Sequence, residues 1–203
     1  MRTRIYSFEP VADPASRVLI LGSMPGRASL RAREYYAHPQ NAFWKILGSV
    51  LGFEPSAAYE ARLSRLRAHG IALWDVLRSC VRESSLDSDI DEGSIVVNPF
   101  ADFFARHPQI GAVCFNGAKA EAAWRRHVLP RVEQAGALRC WRLPSTSPAN
   151  ASIGYAEKLD AWHRALRATA RATARGRRYN SPIAERRPAR LAGERRRSTE
   201  FDG

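Results

Sequence analysis

The chain has 203 residues, a formal net charge of +12 and a pI near 10.6, enough for one ordinary α/β domain with an appendage. Three scattered cysteines, Cys80, Cys114 and Cys140, cannot by themselves ligate a zinc ion or a four-cysteine cluster, and their odd number fits reduced thiols. No apolar run is long enough to cross a membrane, and the first residues, with Glu9, Pro10, Asp13 and Pro14 behind Arg2 and Arg4, lack the pattern of a signal peptide, so a cytoplasmic protein is expected.

The first predicted element, RVLILG at 17–22, is a short apolar run stopped by glycine and proline, which fits a strand buried on both faces. Over 41–51 the apolar residues Phe43, Trp44, Leu47, Val50 and Leu51 recur at helical spacing, and Gly52 ends the pattern. AAYEARLSRLRAHG reads as a second amphipathic helix, leading directly into a second buried strand, IALWDVL. PFADFFARHPQI predicts a short helix interrupted at Pro108, and GAVCFNG a third strand. AKAEAAWRRHVLPRVEQAG is helical until Pro130, ALRCWRLPS is a fourth strand, and a last helix starts near Tyr155. Alternating strands and helices predict a three-layer α/β/α domain around a four-stranded parallel sheet, spanning 1–168.

Beyond Ala168 large apolar residues nearly vanish while Arg, Ala, Gly and Pro accumulate. From Arg164 to Gly203 there are 12 basic and 4 acidic residues, so most of the net charge sits there. Residues 169–203 therefore read as a basic, disordered tail, either a solvated extension or a nonspecific attractor of phosphates.

Two loops follow strands, where open parallel sheets bind ligands. The first, GSMPG (Gly22, Ser23, Met24, Pro25, Gly26), permits a tight turn but lacks both the dinucleotide fingerprint and the Gly-Lys-Ser/Thr of a phosphate loop. Just beyond it, EYYAHPQNAFW combines flat rings with amide and imidazole groups, as recognition of a planar heterocycle requires. Phe43 and Trp44 read as core of the following helix, and Asn41 suits an N-cap. Tyr36, ahead of the helix, is less readily a core residue, and His38 suits a supporting role. The second loop, LPSTSPANAS, offers Pro144, Ser145, Thr146, Ser147, Pro148 and Asn150 before a helix, fitting either phosphate contact or an ordinary cap and turn.

Taken in order, GSMPG, YYAHPQNAFWKILG, GIALWDVL with the later SLDSDI, FNGAKA and LPSTSPANA resemble the uracil-DNA glycosylase superfamily over about 17–166, most closely its hypoxanthine-DNA (deoxyinosine) glycosylase branch. The resemblance implies a monofunctional base-excision repair enzyme without metal or organic cofactor. It would be a nucleoid-associated monomer acting on double-stranded DNA with deaminated bases. The third position of the superfamily's first motif normally carries an Asp or Asn that positions the attacking water, and here it is Met24; the resemblance then implies Asn41 as the catalytic amide. It further implies that Tyr36 stacks on the extruded base, that 144–150 grips the DNA, and that Trp74, Asp75 and Asn116 line the base pocket with the first loop. The rival readings are a mismatch-specific uracil-DNA glycosylase and a catalytically inactive DNA-binding member of the fold, the latter favoured by Met24. A nucleotide-dependent α/β enzyme lacks the phosphate loop it would need.

Overall fold

The computed structural model describes residues 3–174, which begin with a short strand, β1 (Arg4–Tyr6). The chain then enters the central sheet, built from β2 (Val18–Gly22), β3 (Ile71–Asp75), β6 (Ala112–Asn116) and β7 (Arg139–Leu143), all parallel and in the spatial order β3-β2-β6-β7. Every residue of β2 and β3 is buried, as an apolar run without alternation requires when both faces are covered. Because the chain starts in the middle and builds outward in both directions, a crevice opens where β2 and β6 diverge at their carboxyl ends.

The two faces have different aromatic cores. On one, α2 (Phe43–Leu51) packs against α6 (Tyr155–Ala174), with Phe43 edge-on to Trp162 at 5.8 Å between ring centroids. The helix α3 (Tyr59–Ala68) joins this layer through Tyr59, which lies edge-on to Trp44. On the other, Trp74 and Phe115 meet Phe100 and Phe103 of α4 (Phe100–Arg106) and Trp124 at the end of α5 (Ala118–Ala123). The helical hydrogen bonding widens to a π-turn over Trp124–Val128, just ahead of Pro130, where the sequence predicts the helix to fail. These are the three layers expected, and each predicted strand and long helix is present within a few residues.

A second sheet is not legible in the sequence. IALWDVL does not continue as one strand: after Asp75 the chain turns into β4 (Leu77–Val81), which pairs antiparallel with β1 and with β5 (Val96–Val97). The last helix also runs past Ala168 to Ala174, as RATARATA is rich in residues with good helix propensity. The remaining tail residues, 175–203, lie outside the described residues. Within the described residues no helix is long and apolar enough to cross a membrane.

Candidate active site

A cavity of about 670 Å³ opens at the carboxyl ends of β2, β3, β6 and β7, within the ~300–1,000 Å³ usual for small-molecule sites. Its floor comes from Gly22, Ser23, Met24 and Pro25, its walls from Tyr36, Asn41, Asp75 and Asn116, and one rim from Pro144, Ser145, Ser147 and Asn150.

Tyr36 is a backbone outlier, with φ of 57° in a residue other than glycine. Such a conformation costs on the order of 1–3 kcal/mol and persists only where the surroundings enforce it. Here Ala37 N–H donates to Ser29 Oγ on α1 (Arg27–Ala32), and Tyr35 is held by the Trp44 indole and the Tyr59 hydroxyl. One face of the Tyr36 ring stacks on Phe43 at 3.8 Å and 20°, while the half-buried side chain lines the cavity. Its hydroxyl is buried and makes no hydrogen bond among the described residues. Burial, reinforced by Asp75, raises its pKa, so the phenol remains a neutral donor.

Asn41 sits where α2 begins. Its Oδ1 accepts from Phe43 N–H at 3.0 Å, satisfying the first N–H of the helix from one position ahead of the Ala42 N-cap, and it also lines the cavity. One lone pair of Oδ1 and the amide protons remain for a ligand. His38 does not reach the cavity. It is exposed, with Nδ1 accepting from Gln40 N–H and its carbonyl accepting from Asn41 N–H, and so it shapes the turn that presents Asn41.

The expectation for Trp74 is corrected. Neighbouring strand residues point to opposite faces, and it is Asp75, not Trp74, that lines the cavity. Trp74 packs between Phe100 and Phe103 and donates its indole N–H to Phe8 O. Thr146 is likewise corrected from DNA contact to anchor. It is 1% exposed, and its N–H, hydroxyl oxygen and carbonyl are taken by Asn116 Oδ1, Asn116 Nδ2 and Ala42 N–H. Pro148, unlike Thr146, is exposed and borders a separate groove with Pro55 and Lys158. Asn116 borders the cavity, but its amide is occupied in clamping the loop from both ends of its dipole. Asn116→Ala is therefore expected to destabilise the protein by about 1–3 kcal/mol, because Thr146 N–H is left buried without a partner; thermal unfolding measures it.

The loop is further held by Trp162 Nε1 donating to Pro144 O, Asn150 Nδ2 donating to Ser145 O, and Lys158 Nζ donating to Asn150 O at 2.7 Å. On the opposite rim stand Ser85, Leu86 and Asp87, which the sequence reading does not single out. Ser23 Oγ donates to Asp87 at 2.7 Å, tying this segment to the first loop, and the buried Arg82 donates to Pro25 O. The cue for these residues lies in the SLDSDI segment alone. Arg142 and Arg164 complete the mouth. Among the described residues no group of three or more His, Cys, Asp or Glu is placed to hold a metal ion.

The chain matches the family model described as the uracil DNA glycosylase superfamily over residues 9–167. Two curated proteins named hypoxanthine DNA glycosylase are similar to it. The one from Methanosarcina barkeri is 41% identical over 114 residues, and the one from Methanosarcina acetivorans is 40% identical over 114, each match covering 56% of this chain and 71% of the relative. A solution NMR structure of a candidate uracil DNA glycosylase from Methanosarcina acetivorans aligns with a TM-score of 0.69 and 32% identity, covering 83% of this chain and 99% of that one.

Proposed function

Because the chain belongs to the uracil DNA glycosylase superfamily, we propose that it is a DNA-hypoxanthine glycosylase that hydrolyses the N-glycosidic bond of a deoxyinosine rotated out of the duplex. The observation that carries this reading is the convergence of Tyr36, Asn41 and the 144–150 loop on one cavity at the sheet's carboxyl edge. The names of the two curated relatives point to the same base.

Extrusion of a nucleotide costs a few kcal/mol, less for a mispaired one, which already favours deaminated bases. The open face of Tyr36 supplies the stacking platform and Phe43 stiffens it from behind. As the bond breaks, positive charge grows on the sugar and negative charge on the base. The Asn41 amide is a donor held in place by its own cap hydrogen bond, and preorganised donors bind charge most strongly as it develops. Met24 borders the cavity but offers no group to hold a water, so positioning of the water falls to Asn41 Oδ1. The 144–150 loop, fixed through Thr146, meets the DNA with Ser145, Ser147 and Asn150. The substrate is double-stranded DNA carrying deaminated bases, processed by a nucleoid-associated monomer, with no cofactor taking part.

The test is single-turnover excision from matched duplexes carrying inosine or uracil, read as abasic sites. Faster release of hypoxanthine is expected. Preferential release of uracil would instead assign the mismatch-uracil activity, and the absence of abasic sites on both would make the protein an inactive DNA-binding member of the fold.

A further inference from the structure

Among the described residues Asp75 is a buried carboxyl with no ion-pair partner, and it shares the cavity wall with Tyr36. Only 3% of the residue is exposed. Its Oδ2 accepts from Ser7 Oγ at 2.7 Å, and its backbone carbonyl accepts from Asn98 Nδ2. Oδ1 faces the backbone of Gly22, where it and the Tyr36 hydroxyl crowd the space that a side chain at position 22 would need. Both residues border the cavity, and among the described residues the Tyr36 hydroxyl makes no hydrogen bond. Arg82, whose charge Asp75 feels, is engaged elsewhere, with one guanidinium nitrogen on Pro25 O and another 4.0 Å from Asp87. Taking a carboxylate out of water without a cation beside it favours the protonated form.

Resting on the glycosylase reading above, we propose that Asp75, in its acid form and held by Ser7, is the proton donor to the departing base. The C1′–N9 bond breaks with its electron pair passing to the purine, the Asp75 carboxyl proton passes to the purine, and neutral hypoxanthine leaves. A water adds to C1′ through oxygen, and the proton it loses restores the Asp75 acid, so the net reaction consumes one water. The Tyr36 hydroxyl, buried behind the ring that serves as the stacking platform, keeps its proton throughout.

The ionisation of Asp75 fits this role. Burial raises its pKa from 3.8 to about 7, the Ser7 hydrogen bond opposes the rise, the Asp87 charge adds to it, and Arg82 opposes it. The groups facing it are thus Ser7 beside β1, Tyr36 ahead of α2, and Arg82 and Asp87 in the segment after β4, with Tyr35 also close enough to feel its charge.

The experiment is single-turnover excision of hypoxanthine from duplex DNA between pH 5.5 and 8, for the full chain and for Asp75→Asn. An acid with this pKa is mostly protonated at pH 6 and mostly ionised at pH 8, so the parent rate is expected to fall about tenfold over that interval. Asp75→Asn keeps a hydrogen-bonding amide but has no proton to give, so it is expected to be about 100-fold slower at pH 6 and flat with pH. Thermal unfolding shows that it folds. The native pKa lies above the unfolded value, so the wild-type penalty is complete above pH 7 and absent below about pH 4. Asp75→Asn is therefore expected to melt higher than the parent at pH 8 and to lose that advantage at pH 4. A parent rate that rises through pH 7 would make Asp75 a base and overturn the proposal. So would an Asn variant that keeps the parent's rate and pH profile. In both cases the glycosylase reading stands, whereas a parent that forms no abasic site at any pH removes that reading itself.

Discussion

Asn41→Ala is expected to slow single-turnover excision of hypoxanthine by roughly 100- to 1,000-fold, the loss usual when one preorganised donor is taken from a developing negative charge. The same substitution removes the hydrogen bond from Phe43 N–H to Asn41 Oδ1. Loss of a helix cap is worth about 1 kcal/mol, so a small drop in melting temperature is expected as well. These two consequences are separable. Asn41→Asp keeps an oxygen for Phe43 N–H but has no amide donor and places negative charge against a leaving group that is itself becoming negative. It is therefore expected to be as stable as the parent and at least as slow as Asn41→Ala, with duplex affinity within about threefold of the parent in both variants. If the aspartate variant excises normally, Asn41 is a cap and nothing more. If both variants lose binding in proportion to rate, the residue grips DNA instead of acting in the reaction.

Residue type and spacing carried the central sheet because β2, β3 and β6 are largely apolar runs, while β7, which carries Arg139 and Arg142, is marked by the proline that follows it. The same reasoning fails for β1, β4 and β5, which are short, carry Arg4, Arg78 and Ser79, and gain their definition from pairing with one another, β1 with β4 across more than 70 residues of sequence. That second sheet matters to the site, since Ser7 N–H pairs with Arg78 O and its hydroxyl then meets Asp75. Nothing local in RIYSFEP announces such a contact. Thr146 was illegible for a similar reason: its role depends on Asn116, thirty positions away, folding beside it. The error over Trp74 was avoidable. Alternation along the strand sends Trp74 toward Phe100 and Phe103, and the carboxylate beside it is the one that borders the cavity.

Gly22→Ala is expected to abolish measurable excision, a loss of at least about 100-fold, and to destabilise the fold by about 1–3 kcal/mol. The glycine is not there for its backbone freedom, since its φ is not among the positive ones. It is there because β2 and β3 pair Gly22 with Asp75 and leave the carboxyl no other place to lie. An added Cβ would stand inside van der Waals contact of Asp75 Oδ1 and 2.9 Å from the Tyr36 hydroxyl oxygen. Neither neighbour yields cheaply: Asp75 is tied to Ser7, and the Tyr36 ring is stacked on Phe43 from a strained backbone. Moving either displaces the group proposed to donate the proton or the surface proposed to hold the base. Gly52→Ala supplies the contrast. Gly52 has φ of 72° with nothing within 4 Å of an added Cβ, so alanine there strains the end of α2 by about 1 kcal/mol without entering the cavity. Excision by Gly52→Ala should match the parent below its melting transition. If the two alanine variants lose activity in proportion to lost stability, the fold and not the Asp75–Tyr36 contact is what excision senses, and the geometry argued for the cavity wall is wrong.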